Sequence, residues 1–411
     1  MKLFWRNTRI HPPLIKGEEA GKHMECLDIM DIKQNNIKSI MNVLRENNGQ
    51  SGMTKKEIAD KTGLSFATVS NLCNELLERC IVESVKRDAA SVGRTPFSVS
   101  FAYNRFRTIC LNLQMQSVLR LAVLNAKNEM IFCRLYDITS LDRPEEVIRF
   151  AKEKFDEYVQ EEGDVDCTYI GVGAAVSGIF DLATQTLVNC AVKMYEGVCL
   201  KEIVEQEFGL PGYVDNESNL CALSLKNRIP DCKNLVYLHF SEGVGVGIIC
   251  NGSLLKGHHG YGGEVSYIPL GDKSKYCGEC DTYGCIENDL SIPGIVRNYF
   301  GMERKDTLEA WKEFAEAVSG REERAMSQVS SIAGYLGELI ALLIFIMDPE
   351  YVYVGGELAQ IYDTLFQDMN KIIRKKCFMY GNRRVNIVKD IQSDMTINSG
   401  INEFIYSHWM V

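Results

Sequence analysis

The sequence predicts a winged helix–turn–helix near the N-terminus, followed by a larger α/β body with mostly buried sheets. The first unit rests on a short capped helix, a glycine turn, a second capped helix and two strand-like runs between Thr54 and Phe101. The second rests on β-branched runs that alternate with helix-patterned segments from about Arg107 onward. At 411 residues the chain exceeds one ordinary domain, so two or three compact units are expected.

Residues 1–30 show no clean periodicity and include Pro12-Pro13, so they read as a flexible extension. From Asp31, Ile37, Ile40, Met41 and Leu44 recur at helical spacing, and Asn47-Asn48-Gly49 supplies a stop. Thr54 with Glu57 makes a capping box for a short helix through Lys61. Gly63 permits a left-handed turn, which Leu64 anchors. Ser65 caps a second helix whose buried face is Val69, Leu72, Leu76 and Leu77. This is the arrangement that lays one helix in a DNA major groove. Ser65, Phe66, Thr68, Ser70 and Asn71 occupy its first turns, where the polar ones reach phosphates or base edges. The run from Ile81 to Phe101 reads as a β-wing, with Lys86, Arg87 and Arg94 near its tip to meet phosphates or the minor groove. Residues 31–103 therefore form the expected DNA-binding domain. The plainer reading is a generic helical pair with a solvated basic loop.

In the body, the runs at Arg107–Leu113, Val118–Leu124 and Glu129–Ile138 read as a three-strand meander, followed by a charged helix from Pro144 to Glu162. The strands YIGVGAAV, LVYLHF and YVYVGG, a glycine-rich turn SEGVGVG and a long helix around Ala333–Ile346 complete the pattern.

Charge is divided unevenly. Residues 1–100 carry 15 Lys+Arg against 12 Asp+Glu, and the remainder 30 against 43, within a net charge of −10. An acidic body repels DNA, which confines nucleic-acid contact to the N-terminal unit. The longest apolar run, Leu339–Met347, falls short of the ~18 residues that span a bilayer. No charged-then-apolar leader opens the chain, and most of its 15 cysteines are scattered singly, so a cytoplasmic location with no membrane contact is expected.

The segments GLSFATVSNLCNELLE, VGRTP, IGVGAAVSGIFD, VDNESNLCAL, SEGVGVGIICNG, GYGGEV, CGECDTYGCIE and DPEYVYVGGEL occur in one order. With them the chain resembles the ROK family (repressors, open reading frames and kinases), in its winged-helix repressor branch, from roughly Lys33 to the C-terminus. The resemblance implies a two-lobed actin-like ATPase (sugar-kinase-like) fold for residues 104–411. It also implies a sugar in the cleft, bound by positions matching Gly178, Asn216, Glu217, Glu264 and Glu287, with Tyr267 where the family has a histidine and Ser177 where it has a proline. Carboxylates and amides suit a sugar, whose hydroxyls both donate and accept.

Two departures speak against phosphoryl transfer. The family's kinases carry an Asp-x-Gly-Gly-Thr phosphate turn where this chain has Leu113, Gln114, Met115 and Gln116. Bulky side chains there deny the backbone approach that phosphate needs, so no ATP is expected. Glu217 replaces the catalytic Asp, and its extra methylene displaces the carboxylate from in-line geometry. Ser241–Gly247 keeps the glycines of the second phosphate loop and reads equally as a tight strand turn.

Cys277, Cys280 and Cys285 lie within nine residues, a spacing that lets thiolates converge on one structural zinc. In the resemblance the fourth ligand is the histidine that is Tyr267 here, leaving His258, His259 or water as substitutes. The expected function is a sugar-responsive regulator, in the manner of a repressor, that binds double-stranded operator DNA as a homodimer or homotetramer and senses a sugar or sugar phosphate. The alternatives are an ATP-dependent sugar kinase with an appended DNA-binding domain, and a ligand-free scaffold that binds DNA constitutively.

Overall fold

Four apolar residues at helical spacing bury one face of α1 (Ile29–Glu46): Ile37, Ile40, Met41 and Leu44 are all in the core. The computed structural model describes residues 29–47, 52–86, 97–162, 166–229, 231–278, 280–304, 307–378 and 385–409. Most of the N-terminal extension, the Asn48-Gly49 turn, the VGRTP segment, Arg87 and Arg94 lie outside the described residues.

A short strand, β1 (Met53–Thr54), leads into α2 (Lys55–Thr62). The Thr54 side chain accepts from the Glu57 amide, and Glu57 Oε2 accepts from the Thr54 amide at 2.7 Å, which satisfies two otherwise orphaned donors. Gly63, at φ +70°, ends α2 in the left-handed region. Ser65 then caps α3 (Phe66–Glu78), its Oγ accepting from Thr68 N at 3.1 Å. Val69, Leu72, Cys73 and Leu76 face the core, while Leu77 is only half-buried at its edge. Strands β2 (Val82–Lys86) and β3 (Phe97–Phe101) pair antiparallel, and β1 adds to the other side of β3. That third strand is two residues long, too short to carry a period in sequence.

The first lobe of the body begins with the meander β4 (Phe106–Asn112), β5 (Val118–Asn125) and β6 (Met130–Asp137). Helix α4 (Pro144–Glu162) crosses to β7 (Thr168–Val176), parallel to β4. A hairpin, β8 (Ile179–Asp181) and β9 (Thr186–Val188), precedes α5 (Leu200–Phe208) and β10 (Gly212–Asn216), giving the sheet order β10-β7-β4-β5-β6. Helix α6 (Glu217–Arg228) passes into the second lobe, which opens with β11 (Leu235–Phe240), β12 (Val244–Cys250) and β13 (Ser253–Leu254). A small hairpin, β14 (Tyr276–Cys277) and β15 (Thr282–Tyr283), precedes α7 (Glu287–Leu290), α8 (Ile292–Phe300), α9 (Thr307–Ser319) and α10 (Glu323–Met347). The chain closes with β16 (Tyr351–Gly356), α11 (Tyr362–Lys376), β17 (Asn386–Lys389) and α12 (Ser393–His408). The second sheet runs β13-β12-β11-β16-β17.

Each lobe is thus a five-stranded sheet with helices on its outer face, α4 and α5 on one and α8 to α11 on the other. The two remaining helices fill the space between the sheets, α12 against β4 and β7 and α6 against β11 and β12. The approach is close. A Cβ added at Gly400 of α12 would lie 2.0 Å from the Leu220 carbonyl oxygen of α6, and one at Gly247 of β12 would lie 2.1 Å from the Ser218 carbonyl. Only glycine allows these contacts, which gives the glycine-rich β12 a packing role independent of phosphate.

Helix α10 starts ten residues before the sequence pattern suggests, because its first turns bury only Ala325, Val329 and Ile332 among polar neighbours. Its 25 residues are apolar enough to cross a bilayer by length and composition, yet its buried residues from Ala325 to Ile344 belong to the second lobe's core. Its last turn carries large apolar side chains outward, where Phe345 and Ile346 are 50% and 65% exposed.

Candidate functional site

Asn216 and Glu217 sit where β10 ends and α6 begins, at the floor of the cleft between the sheets. Asn216 is the N-cap: its Oδ1 accepts from Ser218 N at 2.8 Å, while its Nδ2 donates to the Gly178 carbonyl at 2.9 Å. The side chain therefore fixes the helix start and the β7–β8 turn together. Gly178 has no room for a side chain, since a Cβ would lie 2.5 Å from Cys190 Sγ.

Glu217 is 3% exposed; its Oε1 accepts from Ser177 Oγ at 3.0 Å, and its Oε2 is buried without a partner among the described residues. Burial, aided by Glu264 and Asp215, pushes its carboxyl up to about 8, so it is mostly protonated at neutral pH. Burial and then the Glu287 carboxylate push Glu264 up to about 7. Glu287 reaches the same place from α7, where a Cβ on Gly243 would lie 3.2 Å from its Oε1. Glu217, Glu264 and Glu287 thus converge from three elements, with Asn216 and Gly178 beside them. Like charges gathered in one partly dry pocket are costly unless a ligand brings donors to them.

Below this cluster Tyr267, half-buried, directs its backbone carbonyl toward Cys285 Sγ at 3.9 Å. Cys277, Cys280 and Cys285 bring their Sγ atoms within 4.8 Å of one another, and Cys280 and Cys285 approach to 2.7 Å. Burial and the neighbouring thiols raise the Cys285 thiol, a cost that a bound cation removes. Among the described residues the group holds three thiols and no histidine, so His258 and His259 are not part of it. One residue, Ile286, separates Cys285 from Glu287, and the Glu287 amide donates to the Ser266 carbonyl at 3.3 Å, so the thiol cluster and the acidic cleft share one short segment.

Beyond β4, the chain packs against the second lobe through Gln114. Leu113 is fully buried, and Gln114, 6% exposed, donates its backbone N–H to Asn112 Oδ1 at 3.2 Å. Its Oε1 shares a hydrogen bond with His239 Nε2 at 3.2 Å, joining the two lobes. Burial pushes the His239 imidazole down to about 4, so it is neutral. Glu242 and Glu357 border the same region, both with carboxyls raised by burial. The surface cavities of about 410 Å³ and 480 Å³ lie elsewhere, on the α8–α10 and α10–α11 faces.

In the N-terminal unit, Ser65, Phe66 and Asn71 are exposed and Thr68 and Ser70 half-exposed, on the side of α3 away from its core. Phe66 shows 59% of its surface. Ser70 is engaged by Lys55 Nζ at 3.3 Å, which also bonds Asn74 Oδ1 at 2.7 Å. Lys86, on β2, is exposed.

A profile described as the ROK family matches residues 116–400. The chain belongs to the ROK family. Among ROK relatives it is 26% identical over 353 residues to a putative xylose repressor of Caldicellulosiruptor sp. (strain Rt8B.4), covering 82% of this chain and 88% of that one. A solved ROK family transcriptional regulator, a homologue of the Escherichia coli MLC protein, shares the fold with a TM-score of 0.76 at 20% identity, over 92% of this chain and 97% of that one. The ROK glucokinase of Streptomyces griseus, solved with glucose and AMPPNP, shares it with a TM-score of 0.59 at 19% identity, over 72% of this chain and 98% of that one. The two-lobed ROK fold expected from the sequence is therefore present.

Several residues at the site carried no sequence signal for their roles. Ser177 stands out in sequence only as a replaced proline, yet it holds Glu217. Lys256 pairs with Asp215 Oδ2 at 2.5 Å beside the Asn216 cap, across 41 positions of chain. Gln114 and His239 meet across 125 positions.

Proposed function

We propose that this ROK protein is a sugar-responsive transcriptional repressor, with residues 31–103 as the DNA-binding domain and residues 104–411 as the sensing body. The observation that carries the reading is the solvent-facing first turns of α3, built on two capped helices and backed by an acidic body. Phe66 and Asn71 on that face are exposed, and its residue types match groove and phosphate recognition. Ser65, Phe66, Thr68, Ser70 and Asn71 would read the major groove, and Lys86, Arg87 and Arg94 of the wing would meet the backbone. Homodimers would place two such helices on paired half-sites in the cytoplasm.

In the body, Gly178, Asn216, Glu217, Glu264, Tyr267 and Glu287 would hold a sugar or sugar phosphate. A protonated Glu217 donates one hydrogen bond and accepts another, which suits a sugar hydroxyl. The same state leaves only a minor ionised fraction to act as a base at neutral pH, and phosphoryl transfer is opposed mainly by the occupied phosphate turn. The space of the phosphate turn is taken by Leu113 and the Gln114–His239 contact. Repression without catalysis is the consistent reading. The Cys277, Cys280 and Cys285 thiols fit three corners of a tetrahedral zinc, whose contribution is a cross-link that steadies Glu287.

The test uses purified full-length protein and a duplex that it enriches from a random library at low salt. The Asn71→Ala variant should weaken binding to that duplex about tenfold or more while leaving binding to scrambled duplex unchanged. No enrichment of any duplex would end the reading. ADP release with a hexose panel above a Glu217→Ala control would show a kinase instead.

A further inference from the structure

One apolar cluster joins parts of the molecule that the lobe architecture would separate. It runs from Ile40, Leu44 and Leu76 of the winged helix, through Phe101 and Phe106, into Ile401, Ile405 and Tyr406 of α12 and Leu220, Cys221 and Leu225 of α6. The winged helix is therefore seated on α12, which packs in turn on α6 between the sheets. Aromatic contacts fix the seat: Phe106 lies 4.8 Å from Trp409 between ring centroids, and Phe101 lies 6.2 Å from Tyr406.

Within this apolar seat sits one multiply held carboxylate. Glu403 of α12 accepts from Arg45 Nη2 of α1 at 3.1 Å, from Asn128 Nδ2 of the β5–β6 turn at 2.5 Å, and from Asn227 Nδ2 of α6 at 2.9 Å. Both partners of the ion pair are nearly buried, their side chains 11% exposed. Arg45 also donates to the Ala126 carbonyl at 3.3 Å and stacks 4.0 Å from the Tyr406 ring centroid. A buried ion pair adds little stability compared with apolar residues of the same volume, but it fixes one geometry among several.

Asn227 stands ten residues beyond Glu217 on the same helix, about 15 Å along its axis. The Gly400–Leu220 contact keeps α6 and α12 from sliding independently. A second link runs in parallel: Lys256, paired with Asp215 at the foot of the acidic cluster, places its ammonium 5.1 Å from the ring centroid of Phe404, the neighbour of Glu403. Both links start at the cluster and end at adjacent residues of α12.

We propose that Glu403 is the positioning residue through which occupancy of the acidic cleft reaches the DNA-binding domain, α6 acting on it through Asn227 and the winged helix following through Arg45. This rests on the effector and DNA-binding reading above and names its regulation. A ligand that engages Asn216 and Glu217 shifts the start of α6; the helix is stiff, so its far end moves with it, and Glu403 exchanges its grip on Arg45 between two arrangements.

The experiment measures duplex affinity of the full chain with and without saturating D-xylose, D-glucose or N-acetyl-D-glucosamine, alongside calorimetric affinity for each sugar. The wild type should change duplex affinity at least tenfold with the sugar it binds, within the usual range of about 5- to 150-fold for coupled sites. Asn227→Ala and Glu403→Gln should each keep sugar affinity and sugar-free duplex affinity within about threefold of wild type, yet reduce the sugar-induced change to below about threefold. Arg45→Lys, which keeps the charge, should retain a measurable part of it. Hydrogen exchange in residues 55–78 should respond to sugar in the wild type and not in Asn227→Ala, a readout that a merely structural role would not separate from folding. Full coupling in both variants, or loss of duplex binding in both without sugar, overturns the inference. If the wild type enriches a duplex but binds none of the three sugars, the effector reading itself falls, and this inference with it.

Discussion

Glu217 gives the most direct physical test of the cleft, because its environment makes the sign of a pH effect definite. Its carboxyl stands at about 8 in the folded protein, above the ordinary carboxylate value of 4.5. Between those values the folded chain holds a proton that the unfolded chain has released, so this group's contribution falls as pH rises through the window. Below it, both states are protonated and the contribution is intact; above it, the folded state carries a buried anion whose Oε2 has no partner. The shift corresponds to roughly 5 kcal/mol in full at about 1.4 kcal/mol per pH unit, and about 3 kcal/mol after allowing for relaxation around a desolvated group. Glu217→Gln cannot ionise. It should match wild type in urea denaturation at pH 4 and exceed it by about 3 kcal/mol at pH 8.5. Glu264, raised to about 7, titrates in the same direction but is present in both proteins, so it cancels to first order. A stability difference independent of pH would show that Glu217 is hydrated and ionised, which would remove the argument that it donates to a sugar hydroxyl.

Two further outcomes follow from local structure. Thr54→Ala removes the capping box at α2 and should destabilise the winged helix by about 1 kcal/mol, read by denaturation of the full chain, with calorimetric sugar affinity unchanged. The three-thiol cluster should bring one equivalent of zinc through purification, measured by elemental analysis, and Cys285→Ser should lose it and weaken sugar binding through Glu287.

Much of the winged helix was legible in the sequence because its signals are local. A cap, a glycine and an apolar period each act within four residues, so Thr54, Gly63, Ser65, Val69, Leu72 and Leu76 announce α2 and α3 directly. Strand β1 and the half-burial of Leu77 were not legible, since both depend on how the wing folds back. In the cleft, the motif positions pointed to Gly178, Asn216, Glu217, Glu264 and Glu287, and the tertiary structure brings Glu217, Glu264 and Glu287 together. The thiol spacing likewise placed Cys277, Cys280 and Cys285 in one loop.

Local chain chemistry specifies the caps and periods, and through them the two units, the sheets and the groups available at each motif. Tertiary structure alone decided what those groups experience. Ser177 finds Glu217 across 40 positions, Gln114 finds His239 across 125, and Arg45 finds Glu403 across 358. Burial, not residue identity, sets Glu217 to about 8 and His239 to about 4. The reason is physical: hydrogen-bond caps and helical periods depend on neighbours in the chain, whereas desolvation and pairing depend on neighbours in space.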